Sequence, residues 1–143
     1  MPATANVVSE QTVEIGVTGP DDVAVLHVVT GIAQAFLGSF SPASGGFQTQ
    51  QQTFEAHVGP TLTTSEFRRA VATASLASLE GSGGDATFSR WAVTGVDADF
   101  DDDEGRVQLQ FDLLATVDAG ASSANAIVGG VGFQVMILAT SGT

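Results

Sequence analysis

Between positions 107 and 117 the chain reads VQLQFDLLATV. Val107, Leu109, Phe111, Leu113, Ala115 and Val117 take every second place, with Gln108, Gln110 and Asp112 opposite them. A side-chain period of two belongs to the β-strand, so one face of this segment must be covered while the other can stay wet. The preceding run alternates as well, with Phe88, Ala92, Val96, Ala98 and Phe100 sharing one parity. Between the two runs lies ADFDDDEGR, which sets five carboxylates into positions 99–104. Two alternating runs on either side of DDDEG predict an antiparallel hairpin with an acidic, solvated tip.

The remaining segments fill out the architecture. Residues 7–17 predict a half-buried strand with Val13, Ile15 and Val17 on one side and Thr12 and Glu14 on the other. Residues 47–58 predict a second, with Phe54, Ala56 and Val58 facing away from Thr53, Glu55 and His57, and Pro60 closing it. Pro20, Asp21 and Asp22 are good amino-terminal helix residues and predict a helix over 20–37. Its polar positions His27, Thr30 and Gln34 form only a narrow stripe, so that helix would need burial on more than one side. The composition of residues 38–46 makes them a loop, and residues 1–6 an amino-terminal arm. Thr63 and Glu66 stand at capping-box spacing and predict a second helix over 63–80, ended by Gly81. The last run, residues 127–140, is apolar on both faces in its second half, which predicts a central or doubly covered strand. Residues 87–140 thus hold the carboxyl-terminal antiparallel strands. The expected fold is α+β: a mainly antiparallel sheet of about five strands with two helices packed largely on one face, in a single domain over residues 1–143.

Composition narrows the functional classes. Apolar residues make up 43% of the chain, which excludes disorder despite a net charge of −12. The cations are Arg68, Arg69, Arg90 and Arg106, and lysine is absent. This bias resembles that of proteins from salt-loving archaea, and molar salt would quiet the self-repulsion of so much like charge. Without cysteine there is no disulfide, thiolate chemistry or Cys-ligated zinc. Four arginines among sixteen acids cannot build a phosphate-neutralising groove, so no specific nucleic-acid binding is expected. MPATANVVSEQ has neither the basic nor the apolar region of a signal peptide, and the most apolar run, residues 23–37, is too short for a membrane-spanning helix.

No motif names a reaction. Counted from Asp97, an EF-hand loop would need glycine at Asp102 and glutamate at Gln108, so the Asp101–Glu104 turn departs from calcium-loop spacing in two essential places. A non-EF cation contact there needs only clustered oxygens. His27 reads as a hydrogen-bonded or boundary histidine and His57 as a solvent-facing one, and no G-x-S-x-G elbow accompanies them. GSGGD at 81–85 follows a predicted helix and lacks the Lys-Ser/Thr pair of a phosphate loop. The expectation is a protein that is not an enzyme and carries no cofactor.

The stretch VTGVDADFDDDEGRVQLQFDLL, residues 93–114, resembles the terminal hairpin of the tail-terminator and head–tail joining proteins of tailed viruses. That family opens with a helix, whereas this chain is predicted to open with a strand. The resemblance implies a virion component assembled in the host cytoplasm: a ring or tube subunit of a tailed virus of a halophilic host, around a DNA passage with a non-sticking acidic surface. Its partners would be further copies and neighbouring particle proteins, with no membrane contact. The residues expected at subunit interfaces are Val25, Ile32, Phe36, Leu37, Arg68, Arg69, Asp101, Asp102 and Asp103. The alternative is a soluble small-ligand-binding or regulatory α+β domain with a pocket lined by Phe and Val.

Overall fold

A computed structural model describes residues 2–18, 23–40, 47–83, 86–118 and 123–140. Every regular element in it is a strand: β1 (Ala3–Thr4), β2 (Asn6–Thr18), β3 (Val23–Phe40), β4 (Gln48–Val58), β5 (Phe67–Ser82), β6 (Thr87–Asp101), β7 (Arg106–Asp118) and β8 (Ala124–Thr140). They form two four-stranded sheets, β1-β4-β7-β6 and β2-β3-β8-β5. All pairings are antiparallel except the short parallel one of β1 with β4. The α+β expectation is therefore corrected to all-β, and both predicted helices are strands.

The reason lies in which signals won. The segment expected as helix 20–37 is rich in Val, Ile and Thr, whose β-branched side chains suit a pleated surface. As β3 it pairs on both edges, with β2 and with β8. Residues 19–22, the expected helix start, lie outside the described residues, as do 41–46 of the expected loop; residues 38–40 belong to β3. In the segment expected as helix 63–80, the capping box does form. The Thr63 amide donates to Glu66 Oε1 at 2.9 Å, and the Glu66 amide donates to Thr63 Oγ1 at 3.3 Å. One turn later the chain enters β5, where Ala70, Ala72, Ala74 and Leu76 alternate inward and Val71, Thr73 and Ser75 outward.

The sheets pack face to face over one core. The inward side chains of β7, Val107 through Val117, are fully buried. Phe54, Ala56 and Val58 of β4 lie beside them, and Phe111 stacks on Phe54 with centroids 6.1 Å apart. From the second sheet come Val29, Ala33, Ala35, Leu37 and Phe40 of β3, with Val131, Phe133, Val135, Ile137 and Ala139 of β8. Burying each large side chain contributes roughly 1.5–3 kcal/mol, so this paired layer accounts for most of the drive to fold.

The edge strands β5 and β6 meet along one side of the sandwich. Phe67 stacks on Phe100 at 4.9 Å, and at the other end Gly81 lies close over the Phe88 ring. From β4 onward the chain returns β7 beside β4 and β8 beside β5, two overlapping Greek keys that cross between the sheets. The predicted hairpin is β6 and β7, turning through residues 102–105 with Gly105 at φ 66°. A bulge between Thr94 and Asp97 shifts the parity of β6, so Ala92 faces outward although Ala98 and Phe100 face the core. The carboxyl-terminal strand β8 is central, between β3 and β5. At the amino terminus, Ala3–Thr4 of the expected arm pair with β4.

Candidate functional site

With the inner faces spent on the core, function falls to the outer faces and the rim, and the two outer faces differ in chemistry. On the first sheet the rows across β4, β7 and β6 are polar. One runs His57, Gln108, Asp99; the next Glu55, Gln110, Asp97; the third Thr53, Asp112, Thr94. Gln108 Nε2 donates to Glu55 at 2.6 Å, and Thr53 Oγ1 donates to Asp112 at 2.6 Å. These bonds orient the carboxylates on a wet surface and leave the face acidic.

At the rim, His57 donates from Nε2 to Asp101 Oδ2 at 2.8 Å. The Asp101 carboxyl sits below its ordinary range, first because of this bond, with the amides of Asp103 and Glu104 adding to it. Close by, Glu10 on β2 accepts from the Gly59 amide at 2.6 Å and lies 3.6 Å from Arg106, whose Nε donates to the Gly59 carbonyl at 3.0 Å. These contacts tie β2 to the ends of β4 and β7. The acidic turn spends its oxygens on itself and its surroundings, since Asp102 accepts from Thr64 Oγ1 at 3.2 Å. Among the described residues no three His, Asp or Glu side chains converge as a metal ion requires.

His27 faces inward from β3 and is buried, with Nδ1 lacking a hydrogen-bond partner; Glu14 is 3.6 Å away.

The outer face of the second sheet carries apolar side chains across all four strands. One row is Ile15, Leu26, Leu138 and Arg69; the next is Val13, Val28, Met136 and Val71. Beyond a polar row of Gln11, Thr30, Gln134 and Thr73 stand Ile32, and then Phe36 beside Ile127 and Glu80. Val13 is 60% exposed, Phe36 55%, Ile15 and Val71 47% each, Met136 41% and Ile32 39%. Two hollows mark this face. One of about 330 Å³ lies among Thr30, Thr73, Ser75, Gly132 and Gln134; another of about 360 Å³ lies beside Phe36, Ile127 and Glu80. Hydroxyls and amides share the lining with Phe133 in the first hollow and with Phe36 and Ile127 in the second.

The residues singled out from sequence are scattered over this frame. Ile32, Phe36 and Arg69 share the outer face of the second sheet. Leu37 is buried in the core, and Val25 is half-buried on β3 opposite Gly16 and Ala139. Arg68 is exposed at the start of β5, bonded to the carbonyls of Ser65 and Phe67. Asp101, Asp102 and Asp103 sit together at the hairpin turn, away from the apolar face.

Sequence reasoning missed Val13, Ile15, Val28, Val71, Met136 and Leu138. The alternation of residues 7–17 predicts Val13 and Ile15 on the covered side of their strand, whereas they are exposed, and Glu10 is the side chain that reaches across to Gly59 and Arg106. Alternation in β2 marks an apolar face without saying whether the chain's own core or another molecule covers it.

No family model matches the chain, and no curated protein or solved structure matches it. Among the described residues there is no helix long and apolar enough to cross a membrane.

Proposed function

We propose that this protein is a structural subunit of a symmetric assembly, joined to its neighbours through the outer face of the second sheet. The observation that supports this most is the exposure of Val13, Ile15, Val71 and Met136 in adjoining rows that cross three strands of one sheet. Scattered exposed apolar residues are ordinary, but a contiguous apolar patch on a soluble domain marks a surface that meets something. The rest of the exterior argues in the same direction. A net charge of −12, with Glu55, Asp97, Asp99, Asp101 and Asp112 gathered on the opposite sheet, keeps copies apart except where charge is missing.

The similarity of residues 93–114 to the terminal hairpin of tail-terminator and head–tail joining proteins favours a tailed-virus particle of a salt-loving host as the setting. An acidic sheet facing DNA there would repel phosphate and let the genome pass without gripping it. The test is sedimentation of the full chain in molar KCl. A multimer is expected, and Val13→Glu or Met136→Glu should dissociate it while leaving the far-ultraviolet spectrum unchanged. A folded wild-type monomer at every concentration tested would sink the reading.

A further inference from the structure

The chemistry of the apolar face is self-complementary. Among the described residues, the charged side chains whose register places them on this face are Arg69, near the start of β5, and Glu80, near its end. Neither has an ion-pair partner among the described residues. Among the described residues the face thus carries one charge of each sign on a chain that is otherwise strongly anionic, and a second copy can approach it with less repulsion than it meets elsewhere.

The dimensions agree with such a partner. Four strands at about 4.8 Å spacing and ten residues of β3 at about 3.3 Å rise give a footprint of roughly 19 by 33 Å. Allowing for side-chain relief, about 600 Å² of flat area is on the scale of the ~800 Å² per partner of a standard specific interface.

We infer that the occupant of this face is a second copy of the chain, packed face to face about a two-fold axis that lies in the face and crosses the strands. This rests on the reading of the face as a subunit interface and adds its register. A two-fold axis midway along β5 reverses one β5 over the other and brings Arg69 of each copy opposite Glu80 of its mate. The same operation lays the Leu26 and Leu138 end of one copy over the Phe36 and Ile127 end of the other. The hollow beside Phe36 and Glu80 then receives side chains from the row that holds Arg69. Near the axis the polar row of Gln11, Thr30, Gln134 and Thr73 faces the mate's neighbouring row of Ser9, Ile32, Gly132 and Ser75, which brings hydroxyls to both sides. Charges placed this way set the register, while the apolar rows supply the attraction.

The test measures dimer dissociation by sedimentation equilibrium in about 0.5 M KCl, where a direct ion pair is still felt, on wild type, Arg69→Glu, Glu80→Arg and the double exchange. Each single variant should weaken the dimer by roughly tenfold, since two symmetry-related pairs are lost together. The double exchange should return it to near the wild-type value. Net charge alone predicts otherwise, because Arg69→Glu makes the chain more acidic and Glu80→Arg less so, which would move the two in opposite directions. If Met136→Glu dissociates the dimer while the single exchanges have no effect or the double exchange fails to restore it, the two-fold register is wrong and the interface reading stands. If the wild type is monomeric, or its oligomer ignores both Met136→Glu and Val13→Glu, the interface reading falls and the register with it.

Discussion

At the scale of single residues, Asp101 shows how the acidic turn contributes to the fold without a ligand. Its carboxylate accepts from His57 and from two turn amides, which holds its pKa below the ordinary 3.8. A carboxylate depressed in the folded state stabilises the fold above its unfolded pKa and loses that contribution as pH falls through the folded value. Asp101→Asn resembles the protonated group and should therefore be less stable than wild type at neutral pH. The gap between the two should close as pH drops below 3.8. Glu66, also lowered by its bond from the Thr63 amide, titrates in both proteins and cancels in the difference. Urea midpoints for the pair from neutral pH down to about pH 2 check this; a gap that stays constant would show that the His57 bond contributes nothing.

Between elements, close packing of backbones decides what can be substituted. Gly31 on β3 is such a position: a Cβ there would meet the Ser9 carbonyl oxygen of β2 and the ring of Phe133. The Phe133 ring can shift slightly, but the carbonyl belongs to the strand paired with β3, next to the register shift between Val7 and Ser9. Gly31→Ala should destabilise the protein by about 1–3 kcal/mol, as overpacking in a core does. Hydrogen exchange should show β2 losing protection before β3 and β8. Equal loss across all three strands would mean that β2 does not yield separately.

The same scale explains which elements were legible in the sequence and which were not. β7 could be read because one of its faces is dry and the other wet, so period two stood out in Val107 to Val117. β3 could not, because core residues such as Val29 and Ala33 alternate with Val28, Ile32 and Phe36 on the face we assign to a partner. A strand apolar on both faces has the same pattern as a buried helix. β5 misled for another reason. Its capping box is real and its alanines fit either element, but a cap contributes only about 1 kcal/mol, against a ladder running the length of β8. The site was legible in part: Ile32, Phe36 and Arg69 were marked from sequence, while Val13, Val71 and Met136 join them only through pairing across β2, β3, β8 and β5.

For the molecule as a whole, charge is the dominant variable. Six carboxylates, those of Glu55, Asp97, Asp99, Asp101, Asp112 and Asp118, share one sheet surface with Arg90 and Arg106. Raising salt from about 0.1 M to about 1 M shortens the screening length from about 10 Å to about 3 Å, which removes most repulsion between neighbouring rows. The melting temperature should rise over that range. Asp97→Asn with Asp99→Asn should raise it at low salt and flatten its dependence, as followed by circular dichroism. Equal slopes in the variant and wild type would place the salt effect elsewhere than on this sheet.

The amino-acid order by itself determined the hairpin of β6 and β7, that residues 127–140 form a strand covered beyond one face or one edge, and the acidic, lysine-free composition. Each of these follows from neighbours along the chain or from composition. Only the tertiary structure decided that residues 23–40 and 67–82 are strands, and that Val13 and Ile15 face outward while Glu10 reaches to the ends of β4 and β7. Those outcomes depend on partners far away in sequence, Glu10 finding Gly59 and Arg106, and β5 finding β8. Local pattern states that a face is apolar; the surface that covers it is chosen by the pairing of distant strands.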